Sequence, residues 1–232
     1  MNINSIYDRA FNIINTRQYN NFNAPDELDQ IDLDIPDDNI YILRMLIRRS
    51  LEDFKIPDDL KWVQPLIEMS ERNQKHLGVI HPFCYLTIRS TDHLSKTSDE
   101  WHVDGFSTRI THLPEQNYIW VNHMPTEYLL KKINIPNDFN PLENNIHYLI
   151  QDLVNDSDEI QTINSKTLYC FDPYVIHRRP RIITGHRTFI RISFTPIEIN
   201  DINNTENYIL KTYYNRDGIK DFRNKLERYP IR

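Results

Sequence analysis

Two periodicities divide the chain. Up to about residue 80 the apolar positions recur at helical intervals; beyond it they fall in short runs rich in aromatic and β-branched residues. Residues 5–17 carry Ile6, Ala10, Ile13 and Ile14 at helical spacing, which predicts a first helix. Residues 39–54 place Ile40, Leu43, Leu46, Ile47 and Leu51 on one helical face and predict a second. The acidic, proline-containing stretch between them, residues 23–38, reads as a loop. Asp58 or Asp59 can cap a third helix reaching about Leu77, with Pro65 disturbing its first turns.

Strands follow. Residues 83–88, 100–106, 118–122, 166–171, 174–177 and 188–195 each read as one. Residues 126–133 predict a short helix, residues 91–99 and 135–145 irregular connections, and residues 207–229 a helical tail. Helices, then many short strands, then a helix is the order of an α+β protein, and the strand block is long enough for one antiparallel, cupin-like jelly roll. The expectation is a single domain over residues 1–232, with a helical flank at 1–80, the β core at 81–198 and a helical tail at 199–232.

Composition narrows the chemistry. With 4 glycines and neither a G-x-x-x-x-G-K-[ST] nor a G-x-G-x-x-G pattern, a glycine-rich phosphate cradle is disfavoured. A formal net charge of −6 argues against a nucleic-acid partner, because such proteins gain affinity by neutralising phosphates. Cys84 and Cys170, the 2 cysteines, sit in apolar runs and read as buried thiols of a reducing compartment. No apolar segment approaches the ~18 residues of a membrane span, and residues 1–17 lack a signal-like apolar stretch, so the expectation is a cytoplasmic protein. Oligomeric state is not readable.

Three clusters carry the candidate chemistry. The first is Trp101-His102-Val103-Asp104-Gly105; on a strand, His102 and Asp104 project from one face and can reach one metal ion together. The second ends in His177-Arg178-Arg179-Pro180, where His177 can close the ligand set from another strand. Two imidazoles and a carboxylate on one side of an ion leave the opposite positions open, the facial triad of non-haem iron(II) oxygenases. The third is His186-Arg187-Thr188-Phe189-Ile190-Arg191-Ile192-Ser193-Phe194. There positions 187, 189, 191 and 193 share one face and Ile190, Ile192 and Phe194 the other, so Arg187 and Arg191 point the same way. Either guanidinium can bind a dicarboxylate through parallel hydrogen bonds. Tyr85 and Thr87, on one face of the preceding strand, are candidate hydroxyl donors to that co-substrate. His123 and Trp120 are candidate substrate contacts, and Arg178, with the basic run that follows it, a candidate attractor of an anionic substrate.

The order H-x-D, distal His, then Arg ten or more residues on resembles the iron(II)/2-oxoglutarate-dependent dioxygenase superfamily. The Trp before H-x-D and the R-x-x-x-R pair look most like its taurine/α-ketoglutarate branch. The resemblance covers roughly residues 81–198. It implies a double-stranded β-helix with Fe(II) on His102, Asp104 and His177. Arg187 or Arg191 would anchor the far carboxylate of 2-oxoglutarate, Arg187 being favoured on spacing. The implied reaction consumes O2 and 2-oxoglutarate, yields succinate and carbon dioxide, and hydroxylates a small molecule or a protein. Halogenation is disfavoured by the presence of Asp104. Rival expectations are a nucleic-acid demethylase of the same superfamily, for which Arg191-Ile192-Ser193-Phe194-Thr195 resembles a closing motif, and a cupin-like metal protein that does not use 2-oxoglutarate. A non-catalytic jelly-roll module would have no reason to keep these groups together.

Overall fold

The structure is a computed structural model and describes residues 24–91, 100–104 and 115–212, apart from residues 132, 134, 140–142, 156–157, 182–184 and 200. It is mostly antiparallel β-sheet with two α-helices, as expected of an α+β protein. The expected helix at 5–17 lies outside the described residues, as do residues 92–99 of the expected loop and residues 213–229 of the expected tail.

The strands are β1 Asp26–Gln30, β2 Ile40–Arg48, β3 Phe83–Thr91, β4 Gln116–Val121, β5 Glu127–Leu129, β6 Ile160–Thr162, β7 Thr167–Phe171, β8 His177–Arg178 and β9 Arg187–Thr195. They form a major sheet ordered β1-β7-β4-β9-β3-β2 and a minor sheet ordered β6-β5-β8. The helices are α1 Gln64–His76, preceded by a 3-10 turn at Asp58–Val63, and α2 Ile146–Leu153.

Strand β9 organises the major sheet because its two faces have opposite chemistry. It pairs with β3 from Phe83↔Thr195 to Thr91↔Arg187 without a slip, and with β4 on its other side. Ile190, Ile192 and Phe194 enter a core shared with Leu86, Ile88, Tyr118 and Trp120, which Leu66 and Ile67 of α1 cover. Arg187, Phe189 and Arg191, on the opposite face, line a cavity. The minor sheet repeats the division. Leu129 and Ile176 pack outward with Leu149 and Ile150 of α2, while Tyr128 and Val175 pack inward with Ile119 and Phe171 of the major sheet. Each sheet thus has a helix behind it, and the cavity lies on the inner side of both.

Several sequence expectations are overturned. Residues 39–54 hold strand β2, not a helix. A bulge between Ile42 and Met45 breaks the alternation, so the α1-side set runs Ile40, Ile42, Met45 and Ile47, and the apparent helical face mixes both sides of the strand, Ile40 and Ile47 from the core with Leu43 from the cavity wall. Residues 126–133 hold the short strand β5, and the expected loop at 23–38 contains the acidic edge strand β1. Charge on an exposed edge discourages pairing with another chain. The major sheet therefore begins at Asp26, and residues 1–80 are not a purely helical flank. The expected strand at 100–106 is, over its described residues, one isolated bridge at His102. The expected strand at 174–177 is a turn that enters a strand only at His177, and residues 207–212 are turns, not helix. Asp58 and Asp59 lie in the first turn after Pro57, so neither caps by its side chain. Pro65 sits at the start of α1, where its missing N–H costs no hydrogen bond. Cys84 and Cys170 are free and buried, as expected. Among the described residues no helix is long and apolar enough to cross a membrane.

Ile192, fully buried between β3 and β4, tests this account of the core. Ile192→Ala should lower unfolding stability by about 2–5 kcal/mol through lost burial and a residual cavity, read from urea denaturation.

Candidate metal centre

His102 and His177 are brought together by backbone. The N–H of His102 donates to the His177 carbonyl at 3.0 Å, and the N–H of His177 donates to the His102 carbonyl at 2.9 Å. A pair that exchanges both bonds lies directly opposite in an antiparallel ladder and projects its side chains to one face. The imidazole centroids are 4.5 Å apart. Trp101 and Val103 point the other way into the core under α2, so His102 and Asp104, two residues apart, share the cavity side.

Both imidazoles have a fixed orientation. His102 Nδ1 lies 2.8 Å from the Glu100 carbonyl and His177 Nδ1 lies 2.9 Å from the Val175 carbonyl. A carbonyl can only accept, so each Nδ1 carries a proton and each Nε2 is left as the atom available to a ligand. His177 Nε2 is 3.4 Å from Asp104 Oδ2, and one ligand atom from each of His102, Asp104 and His177 lies within 4.8 Å of the others. Burial, then the adjacent His177, pulls the His102 imidazole down to about 4, so it is neutral at physiological pH. Burial alone would raise the Asp104 carboxyl, but Arg191 and then the histidines outweigh it and hold the group well below the usual carboxylate range. Two imidazole nitrogens and an ionised oxygen donor fit a divalent transition metal.

The cavity in front of this cluster has a volume of about 690 Å³. Arg191, half-buried on β9, donates from Nη1 to Asp104 Oδ2, the oxygen that also faces His177. Arg187 differs. It is 9% exposed, its Nε donates to the Met124 carbonyl at 2.8 Å, and its buried Nη2 has no hydrogen-bond partner. Burial, then Arg179 and Arg89, lowers its guanidinium to about 10. Thr126, also on the cavity wall, has a buried hydroxyl without a partner. A buried cation and a hydroxyl, each with hydrogen-bonding capacity unused, make a receptor for a carboxylate.

Other expected site residues lie elsewhere. Thr87 is on the cavity wall, where its hydroxyl accepts from the Arg44 N–H at 3.1 Å. Tyr85 is not; its hydroxyl accepts from the Ile199 N–H at 2.6 Å and holds the segment after β9. Trp120 is in the core on the α1 side of β4, with Nε1 donating to the Ile31 carbonyl at 3.0 Å. Being one residue out of phase with Ile119 and Val121, it faces away from the cavity. His123 is exposed in the bend after β4 and does not line the cavity. Arg178 points away from His177, its neighbour on β8. Its Nε donates to Glu127 at 2.6 Å and its guanidinium lies 4.2 Å from the centre of the Trp101 ring, so it ties β8 to β5. The next residue, Arg179, reaches the cavity instead.

Sequence reasoning missed Arg44, Arg89, His147 and Gln151, which also line the cavity. Arg44 was hidden by the false helix at 39–54. His147 and Gln151 lie one turn apart on α2, whose signal was present: Asn145 caps the helix by accepting from the His147 N–H, and Ile146, Leu149, Ile150 and Leu153 follow at helical spacing.

No protein-family model matches the chain, and no curated protein matches it. Among solved structures it is similar to AviO1 from Streptomyces viridochromogenes Tue57, with a TM-score of 0.37 and 11% identity over 88% of this chain and 84% of that one. A likeness at this level assigns neither family nor activity.

Two measurements test the cluster. The metal-free chain should bind one Mn(II) or Co(II) ion, and His102→Ala, Asp104→Ala and His177→Ala should each weaken that affinity at least ~100-fold, read by calorimetry or by Co(II) absorbance. In the metal-free chain, Asp104→Asn should lower stability by about 3 kcal/mol, because it strips the half-buried Arg191 of its counter-charge. His102→Ala, which removes a neutral ring, should cost less in the same urea titration.

Proposed function

We propose that this chain is an Fe(II)- and 2-oxoglutarate-dependent oxygenase, and that its two antiparallel sheets are the walls of a double-stranded β-helix. One observation carries the reading. The three ligand groups His102, Asp104 and His177 open into the same cavity as a buried arginine, Arg187, that has unused donor capacity and no carboxylate partner among the described residues. A metal-binding module without a dicarboxylate co-substrate has no need to bury such a cation.

His102 and His177 would hold the ion through Nε2, their Nδ1 protons locked on backbone carbonyls, and Asp104 would supply the anionic ligand. Bound iron would supply a redox-active Lewis acid with open positions for the co-substrate's keto-acid end and for O2. Arg187, with its guanidinium 5.4 Å from the centre of the Phe189 ring, would pair with the far carboxylate, and Thr126 would donate a further hydrogen bond to it. The net reaction converts a substrate C–H bond, O2 and 2-oxoglutarate into a C–OH group, succinate and carbon dioxide. Asp104 is already claimed by Arg191, which favours Arg187 over Arg191 as the co-substrate anchor. Arg191 would keep the carboxylate ionised and oriented.

Incubation with Fe(II), ascorbate and 2-oxoglutarate should release succinate above a metal-free control. Arg187→Gln should raise the KM for 2-oxoglutarate about 10- to 100-fold, the loss of a charge-assisted hydrogen-bond pair, with Mn(II) affinity unchanged. Metal binding without succinate release would instead favour a cupin-like protein that does not use 2-oxoglutarate. An unchanged KM in Arg187→Gln would remove the role given to that residue.

A further inference from the structure

The proposed metal and co-substrate sites use the β9 and minor-sheet side of the cavity and leave the β2–β3 side unassigned. That side is built around the β2 bulge. Ile42 pairs with Ile88 and Met45 with Leu86, so Leu43 and Arg44 together oppose the single residue Thr87. Both bulge residues line the cavity. The bulge is pinned by three hydrogen bonds. The Leu43 N–H donates to the Thr205 hydroxyl at 2.9 Å, the Thr205 N–H to the Leu43 carbonyl at 2.7 Å, and the Arg44 N–H to the Thr87 hydroxyl at 3.1 Å. Arg44 sits at φ 43°, in the left-handed region where a side chain is strained. A bulge that adds one residue and aims it at a site is a recurrent device for re-directing a side chain; here the side chain delivered is a guanidinium.

That guanidinium has no hydrogen bond or ion pair among the described residues. The buried carboxyl of Glu115 interacts electrostatically with it and with Arg191 as well. One rung along, Arg89 faces the same cavity from the rim, with its guanidinium 5.8 Å from the centre of the Tyr41 ring. Among the described residues the cavity is lined by five arginines, Arg44, Arg89, Arg179, Arg187 and Arg191, against three carboxylates, Glu100, Asp104 and Asp201; with Glu115 added the arginines still outnumber the acids. The co-substrate's two negative charges would be matched by the divalent ion, so the arginine excess remains for a further anion.

We infer that the primary substrate is a small molecule bearing a carboxylate or phosphate, and that Arg44, with Arg89 at the rim, binds that group at the β2–β3 end of the cavity. The inference rests on the co-substrate taking Arg187. The substrate would span the cavity, with its anionic group on the bulge and its reacting carbon towards His102, Asp104 and His177.

The test saturates the chain with Mn(II) and N-oxalylglycine, a non-reacting 2-oxoglutarate isostere, and then titrates inorganic phosphate and, separately, acetate by calorimetry. One anion should bind per chain, and the tighter of the two indicates which group the substrate carries. Arg44→Gln should weaken that binding at least ~10-fold, the loss of one charge-assisted contact, and leave the affinity for N-oxalylglycine unchanged. Arg44→Gly should weaken it equally while keeping the melting midpoint at or above that of the parent, since glycine tolerates the positive φ. No anion binding to the loaded chain, or equal binding by Arg44→Gln, overturns the subsite. A melting midpoint lowered in Arg44→Gly assigns Arg44 to packing and overturns it too. Failure of Mn(II) or N-oxalylglycine to bind counts against the oxygenase reading alone. The subsite is then read in an Arg187→Gln background, where phosphate binding lost on adding Arg44→Gln upholds it and binding retained overturns it.

Discussion

The reciprocal pair of backbone hydrogen bonds between His102 and His177 is the constraint on which the site depends. It joins two segments 75 positions apart in the chain and fixes the facing of both side chains without help from either imidazole. With orientation settled by the ladder, each Nδ1 is free to take a backbone carbonyl, which leaves each Nε2 as the acceptor. Asp104 follows from the two-residue period alone. The burial of Trp101 and Val103 beneath α2 then keeps the short stretch in phase, since a shift by one residue would bury His102 and expose an indole to the cavity.

The electrostatics follow from that placement. Four titratable groups, His102, Asp104, His177 and Arg191, crowd a largely buried space. The arrangement is tolerable because the His102 imidazole is neutral and the one carboxylate has a guanidinium against it. Arg191 thus supplies the counter-charge that keeps Asp104 ionised. Arg187, four residues away on the same face, has no such anion among the described residues, and its guanidinium is pulled down by burial and then by Arg179 and Arg89. On one strand, two arginines in equivalent positions are thus set apart by what stands opposite them, which spacing in the sequence does not reveal.

The parts of this picture that were legible are those where one local rule governs. The alternation of Arg187, Phe189 and Arg191 against Ile190, Ile192 and Phe194 reads directly off the letters, and the strand has no bulge to spoil it. The convergence of His102, Asp104 and His177 was legible because residue type and a period of two suffice for a pair, leaving only one long-range contact to guess. Trp120 and Arg178 were misplaced for a single reason: each is one position out of phase with its neighbours on the inner side, Ile119 and Val121, which pack between the sheets, in one case, and the cavity-lining His177 and Arg179 in the other. Phase is set by the sheet opposite, not by the residue. Strand β2 failed differently. Its bulge broke the alternation, so that apolar residues of both faces fell at helical intervals, and the tertiary contact that pins the bulge, Thr205 against Leu43, comes from the far end of the chain.

The same bulge links that failure to function. A regular β2 would place one residue opposite Thr87; the observed strand places two, and one of them is an arginine in a conformation suited to glycine. If the bulge served only to curve the edge of the sheet, glycine at position 44 would do so without strain, and a neutral side chain would avoid adding a cation to a cavity already rich in them. Thr87 and Thr205 spend their hydroxyls on the backbone of Leu43 and Arg44, holding the strained turn in place. Local strain that neighbouring groups over-determine is characteristic of a side chain whose position matters more than its comfort. The residue that broke the sequence pattern is, on this argument, the one that distinguishes the β2–β3 wall from a merely structural edge.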